Sequence, residues 1–148
     1  MEIKRVLEKE LAIKQGLETQ RFGNNIFYLH SVESTNTLAK DLAKQGVVEG
    51  TTIIADEQTG GRGRLGRGWI SPSMKGIWLS LILRPAIQPS DAPIITSIAA
   101  VSVVKAIYKE YGLEAKIKWP NDILLDEKKV CGILTEMQID IEKIQYII

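Results

Sequence analysis

Apolar positions recur along this chain with two periods, and each period predicts an element. Ile3, Val6, Leu7, Leu11 and Ile13 stand at helical spacing until Gly16, so a helix is expected over 3–14. Ile26 to His30 is short, apolar and aromatic, and reads as a strand. Ser34-Thr35-Asn36-Thr37 then precedes Leu38, Ala39, Leu42 and Ala43 at helical spacing, with Gly46 closing the run. Ser and Thr in that place are N-cap residues, and a strand-to-helix junction offers free amides and hydroxyls to a polar ligand. Thr51 to Ala55 is β-branched and predicts a buried strand. Ile77 to Leu83 does not alternate cleanly, which predicts a central strand covered on both faces.

In the second half, Pro85, Pro89 and Pro93 punctuate a loop. Ser90 or Asp91 is expected to cap a long helix to about Tyr111, stopped by Gly112. Its core face is read as Ile94, Ile98, Val101, Val104, Ala106 and Ile107. A strand brings Lys118 to its end, where Pro120-Asn121-Asp122 makes a turn. Val130 to Glu136 and Lys143 to Ile148 read as a hairpin joined around Asp140-Ile141-Glu142. With Lys143 to Ile148 at a sheet edge, Ile144, Tyr146, Ile147 and Ile148 include exposed apolar groups, and a homodimer is expected.

Length and composition narrow the class. At 148 residues the chain is expected to form one domain with a real core. Apolar content of 45% and charged content of 25% are ordinary for a globular protein. A net charge of +1 argues against bulk nucleic-acid or membrane-surface binding. No apolar run is expected to approach the roughly 20 residues that span a bilayer, and the N-terminus does not read as a signal peptide. The single Cys131 forms no internal disulfide, reads as a small buried hydrophobe, and fits a reducing cytoplasm. His30, the only histidine, reads as structural or solvated.

Charge is distributed unevenly. From Gln58 to Ser90 no acidic residue occurs, while Arg62, Arg64, Arg67, Lys75 and Arg84 are cationic. Five of the twelve glycines fall between Gly60 and Gly68, interleaved with three of those arginines. Backbone amides and guanidinium forks in such a loop suit a phosphate or carboxylate, so an anionic ligand is inferred. The loop is not a phosphate-binding P-loop, since no Gly-x-x-x-x-Gly-Lys-Ser/Thr occurs. Gly61 to Gly66 matches a dinucleotide fingerprint, but no helical pattern follows it.

Four stretches in order carry a resemblance: Ser34-Thr35-Asn36, the loop Gly61-Arg62-Gly63-Arg64-x-Gly66-Arg67-x-Trp69, Lys118-Trp119-Pro120-Asn121-Asp122, and Gly132-Ile133-Leu134-x-Glu136. Together they resemble the biotin–protein ligases over about residues 33 to 136. The resemblance implies an α+β fold, a mixed, largely antiparallel sheet flanked by helices, akin to class II aminoacyl-tRNA synthetases. It implies ATP-dependent attachment of biotin, through a biotinyl-adenylate and with Mg²⁺, to a lysine of a carboxylase's biotin-acceptor domain. The implied biotin contacts are Ser34, Thr35, Asn36, Gln58, Arg62, Gly63, Arg64, Lys118 and Gly132, with Lys118 and Arg64 catalytic. Arg64, Arg67 and Trp69 would meet the nucleotide. Asp122 is read as holding the turn or a metal, the turn being favoured.

Family members continue past the strand matching Lys143 to Ile148 into a nucleotide-binding loop and a small β-barrel. The chain is therefore expected to hold an incomplete catalytic domain, with no room for an N-terminal DNA-binding domain. Alternatives are a relative that binds biotin or its adenylate without turnover, a lipoate-type ligase of the same fold, and a nucleic-acid binder through the Arg/Gly loop. The last is thinly supported by one basic patch without aromatic interleaving.

Overall fold

A computed structural model describes residues 2–148, save the side chains of Glu2, Ile3 and Arg5, so the apolar role expected of Ile3 lies outside the described residues. Contacts divide the chain into two compact units, which length alone did not reveal: 2–85 with 146–148, and 86–145.

The first unit begins with α1 (Glu2–Gly16), β1 (Ile26–Val32), α2 (Thr35–Lys44) and β2 (Thr52–Gln58). β1 and β2 pair in parallel across the α2 crossover, and β3 (Trp78–Leu81) adds antiparallel to β2. β2 is therefore central. The run Ile77 to Leu83, expected to be central, instead supplies an outer strand of this ladder, with Ile77 and Leu79 exposed and one further bridge from Leu83 to Ile147. Ala39 and Ala43 of α2 pack against Ile53, Ile82, Tyr146 and Ile148. The chain end thus lies inside a core, contrary to the expected apolar edge, and Tyr146, Ile147 and Ile148 are all buried. The ground for expecting a dimer through that edge disappears with it. α1 packs on β1, where Lys9 and Glu10 both hydrogen-bond with Tyr28, while Leu7 and Leu11, expected to face inward, are exposed.

The second unit contains α3 (Pro93–Tyr111), an antiparallel ladder of β4 (Lys116–Lys118), β5 (Asp122–Leu125) and β6 (Lys128–Gly132), and β7 (Met137–Asp140). β7 pairs with β8 (Lys143–Ile147), whose last residues belong to the first unit. The expected hairpin from Val130 to Ile148 is therefore two hairpins, β5–β6 and β7–β8. Their turns, Asp126-Glu127 and Ile141-Glu142, have positive φ at both residues, as two-residue primed turns require.

α3 starts without a side-chain cap. Pro89–Asp91 forms a 3₁₀ turn before it, so neither Ser90 nor Asp91 is the cap. Gly112 ends it at φ 68°, its amide donating to the Tyr108 carbonyl at 2.8 Å. The buried face is centred on Ala100, whereas Ile94, Ile98 and Val101 are exposed. Within Pro89–Tyr111 an 18-residue window reaches a mean hydropathy of 1.4, so by length and composition alone this segment meets the measure of a membrane span, which the expectation for the apolar runs did not allow for. In the second unit this helix packs on β4 and β5.

Candidate functional site

The first unit joins the Ser-Thr-Asn stretch to the glycine loop around one amide. Ser34 caps α2, its Oγ accepting from the Thr37 amide at 3.4 Å, as the N-cap reading required. Thr35 follows, and both its amide (2.9 Å) and its hydroxyl (3.0 Å) donate to Gln58 Oε1 at the end of β2. Gln58 Nε2 donates to Ser71 Oγ at 2.9 Å, and Ser71 donates to the Trp69 carbonyl at 3.2 Å. Ser80 of β3 reaches Thr35 Oγ1 at 2.8 Å and also Asn36 Oδ1. Ser34, Thr35, Ser71 and Ser80 are buried, and the partners just named satisfy them.

The loop is a narrow arch rooted on this network. Bridges join Gln58 to Ser71 and Arg62 to Gly68, and the Trp69 amide donates to the Gly61 carbonyl at 2.8 Å. A Cβ at Gly61 would press on the Trp69 carbonyl and lie 2.8 Å from Ser71 Oγ, so only glycine fits there. Arg62 Nη2 donates to Thr37 Oγ1 at 3.0 Å, a second tie to α2. At the tip, Arg64–Gly66 makes a 3₁₀ turn closed by the Gly63 amide on the Arg67 carbonyl at 2.7 Å. Arg64 and Arg67 are exposed there, and Trp69 is half-buried at the root. The structure thus brings Ser34, Thr35, Asn36, Gln58, Arg62 and Trp69 together, with Gly63, Arg64 and Arg67 projecting on the arch.

The second unit joins the other two stretches. Lys118 pairs in register with Asp122, and Asp122 with Gly132, so one rung of the ladder links β4, β5 and β6. Asn121 locks the same corner: its carbonyl accepts from the Ile133 amide at 2.9 Å, and its Nδ2 donates to the Ile133 carbonyl at 3.2 Å. Lys118 stands exposed at the end of β4. Asp122 opens β5 and forms an ion pair with Lys129 at 2.7 Å, a structural use. Cys131 is half-buried, and burial pushes its thiol pKa up, which favours the inert thiol over the thiolate.

Sequence reasoning missed Ser71 and Ser80, whose hydroxyls complete the Gln58 network. It also missed a charged cluster two residues from Gln58. Asp56, 6% exposed, takes Lys9 Nζ (2.6 Å) and the Tyr28 hydroxyl (2.6 Å) on Oδ1, and His30 Nδ1 on Oδ2 at 3.2 Å. Burial alone would raise the Asp56 pKa, but the hydrogen bonds from Lys9, Tyr28 and His30 outweigh it and hold the carboxyl at about 2. His30 accordingly serves structure, as its sequence setting favoured.

With this geometry in place, comparison with known proteins decides the family. Residues 28–148 match the Biotin/lipoate A/B protein ligase family. The chain belongs to that family. The family assignment agrees with the order of the four stretches. The bifunctional ligase/repressor BirA of Bacillus spizizenii is 45% identical over 139 residues, covering 94% of this chain and 43% of that protein. The biotin–[acetyl-CoA-carboxylase] ligase of Paracoccus denitrificans is 39% identical over 110 residues, covering 73% of this chain and 45% of its own length. Among solved structures, the biotin protein ligase of Aquifex aeolicus in complex with biotin and ATP superposes with a TM-score of 0.65 at 34% identity, over 84% of this chain and 50% of that one. The mixed α+β architecture is thus that of biotin protein ligases, and the chain spans about half the length of these relatives.

Proposed function

We propose that this chain takes part in ATP-dependent attachment of biotin to a lysine of a biotin-acceptor domain, by way of biotinyl-adenylate. The observation that carries the reading is the Gln58 network, which fastens the helix-capping Ser-Thr-Asn stretch to the root of the Arg/Gly arch within one unit. Such a place offers an uncharged polar ligand the second Nε2 proton of Gln58, and the arch rooted there carries three guanidinium groups suited to an anion. In the reaction, a biotin carboxylate oxygen attacks the α-phosphorus of ATP and the bond to pyrophosphate breaks. An acceptor lysine amine then attacks the carbonyl of the mixed anhydride; a C–N bond forms and AMP leaves.

In this reading Ser34, Thr35, Asn36 and Gln58 hold biotin, and the backbone from Arg62 to Arg64 closes over it. Arg64 and Arg67 take the nucleotide's phosphates, with Trp69 supporting the arch. Lys118 is assigned to the carboxylate and α-phosphate, and Gly132 to the biotin pocket, on their motifs alone. Catalysis would be positioning together with offsetting the repulsion between two anions. Among the described residues no three His, Cys, Asp or Glu side chains stand close enough to cage a metal. In this reading Mg²⁺ would arrive with the phosphates of ATP and neutralise their charge. A cytoplasmic setting is part of the same proposal, in keeping with the free Cys131.

Two measurements test it. Calorimetry should show biotin binding, and radiolabelled pyrophosphate should exchange into ATP only when biotin is present. Lys118→Ala should lower that exchange by about 100-fold or more, the usual scale for removing one preorganised charge donor. Biotin binding without exchange would replace the ligase by a binding protein. Lipoate outcompeting biotin would move the chain to the other branch of its family.

A further inference from the structure

Ser71 belongs to none of the four stretches, yet it is 4% exposed and tied to both chemistry-bearing elements of the first unit. Counting donors fixes what it does. The Thr35 amide can only donate, so the oxygen end of the Gln58 amide faces α2. The nitrogen end then faces Ser71, donating to Oγ at 2.9 Å. With its oxygen engaged as acceptor, Ser71 directs its proton to the Trp69 carbonyl at 3.2 Å. The Trp69 amide donates in turn to Gly61, where a Cβ would come within 2.8 Å of Ser71 Oγ and 3.2 Å of Gln58 Nε2. From the start of α2 to the root of the arch runs one directed chain of donors, with no room for a Cβ at Gly61.

We propose that Ser71 is a positioning residue that couples ligand contact at the Gln58 amide to ordering of the glycine arch. The inference rests on the biotin reading of this unit. Gln58 Nε2 carries two protons and Ser71 takes one. A ligand that takes the other fixes the amide plane, and Ser71 passes that constraint to Trp69 and Gly61, where the two arms of the arch depart. Removing the hydroxyl leaves the Thr35–Gln58 bonds in place and cuts the link.

The test uses the whole chain with Ser71→Ala and Ser71→Thr. Three quantities are read: biotin affinity, trypsin cleavage after Arg62 and Arg64 with and without saturating biotin, and hydrogen exchange of the Trp69 amide without ligand. In Ser71→Ala the Trp69 amide should exchange about tenfold faster and biotin should bind about tenfold more weakly, the scale of one lost buried hydrogen bond. Saturating biotin should no longer suppress cleavage. Ser71→Thr keeps the hydroxyl and should restore the suppression, even where its melting temperature falls. Full suppression in Ser71→Ala, or equal loss in both variants, overturns the proposal. Should the unaltered chain fail to bind biotin, the ligase reading falls; unchanged exchange at Trp69 in Ser71→Ala would then overturn the Ser71 link separately.

Discussion

Asp56 and Gln58 stand two residues apart on β2, and each gathers side chains from distant parts of the first unit. Asp56 does so with full charge: Lys9, Tyr28 and His30 converge on its two oxygens, and their hydrogen bonds stabilise the anion. Such a cluster is closed, because a ligand would have to displace an ammonium from a buried carboxylate. Gln58 gathers hydroxyls and an amide through neutral hydrogen bonds, each contributing about 1 kcal/mol, and retains donor capacity. One strand thus carries a pin for α1 and, two residues on, an adjustable contact for ligand. Charge fixes an element in place; a neutral amide can be read and re-set.

The comparison can be broken first at the pin. Asp56→Ala should lower the unfolding free energy by about 3 kcal/mol, because Lys9 and Tyr28 lose a shared buried acceptor. Denaturant titration measures that loss, while biotin affinity per folded molecule should hold. Next in size is the acid limb. A carboxyl held at about 2, against an ordinary 3.8, contributes stability that is complete above 3.8 and is lost as pH falls toward 2. That contribution is about 2 kcal/mol, and Asp56→Asn should flatten stability against pH in this window.

Gly61→Ala attacks the other residue of the pair through its neighbours. The added Cβ meets Trp69 and Ser71, so biotin affinity should fall about tenfold, with melting temperature displaced by only a few degrees. Smallest is Leu65→Gly at the tip. Leu65 is exposed at φ 58°, and relieving that conformation should stabilise the tip by about 1 kcal/mol. Biotin affinity should then stay within about twofold by calorimetry, since the root is untouched; a large change would place ligand contact at the tip instead.

What could be read from the sequence was local. Ser34 as a cap, Gly112 as a stop and the two strands flanking α2 are written in adjacent residues, and the structure has all of them. The candidate residues of the first unit came from contiguous motifs for the same reason. The Asp56 cluster was invisible because its partners lie 26, 28 and 47 positions away, and nothing near Asp56 signals them. The hairpins were misdivided because Asp126-Glu127 and Ile141-Glu142 turn at positive φ without the Asn or Gly that usually marks such turns. α3 is apolar around much of its circumference, so periodicity could not choose its buried side, and small Ala100 won over Ile94 and Ile98.

Tyr146 and Ile148 sit in a core whose other members are made at least sixty residues earlier. A ribosome adding about 5–20 residues per second needs about 3–12 s to deliver the 60 residues 86–145 that intervene. Through that interval Ile53 and Ile82 lack the strand end that completes their packing in the finished core. Birth order and assembly order therefore run against each other in the first unit, and closing it requires a long-range contact that slows folding. A nascent chain released at Pro85 would carry the ligand-facing network of Thr35, Gln58 and Ser71 on a half-filled interior.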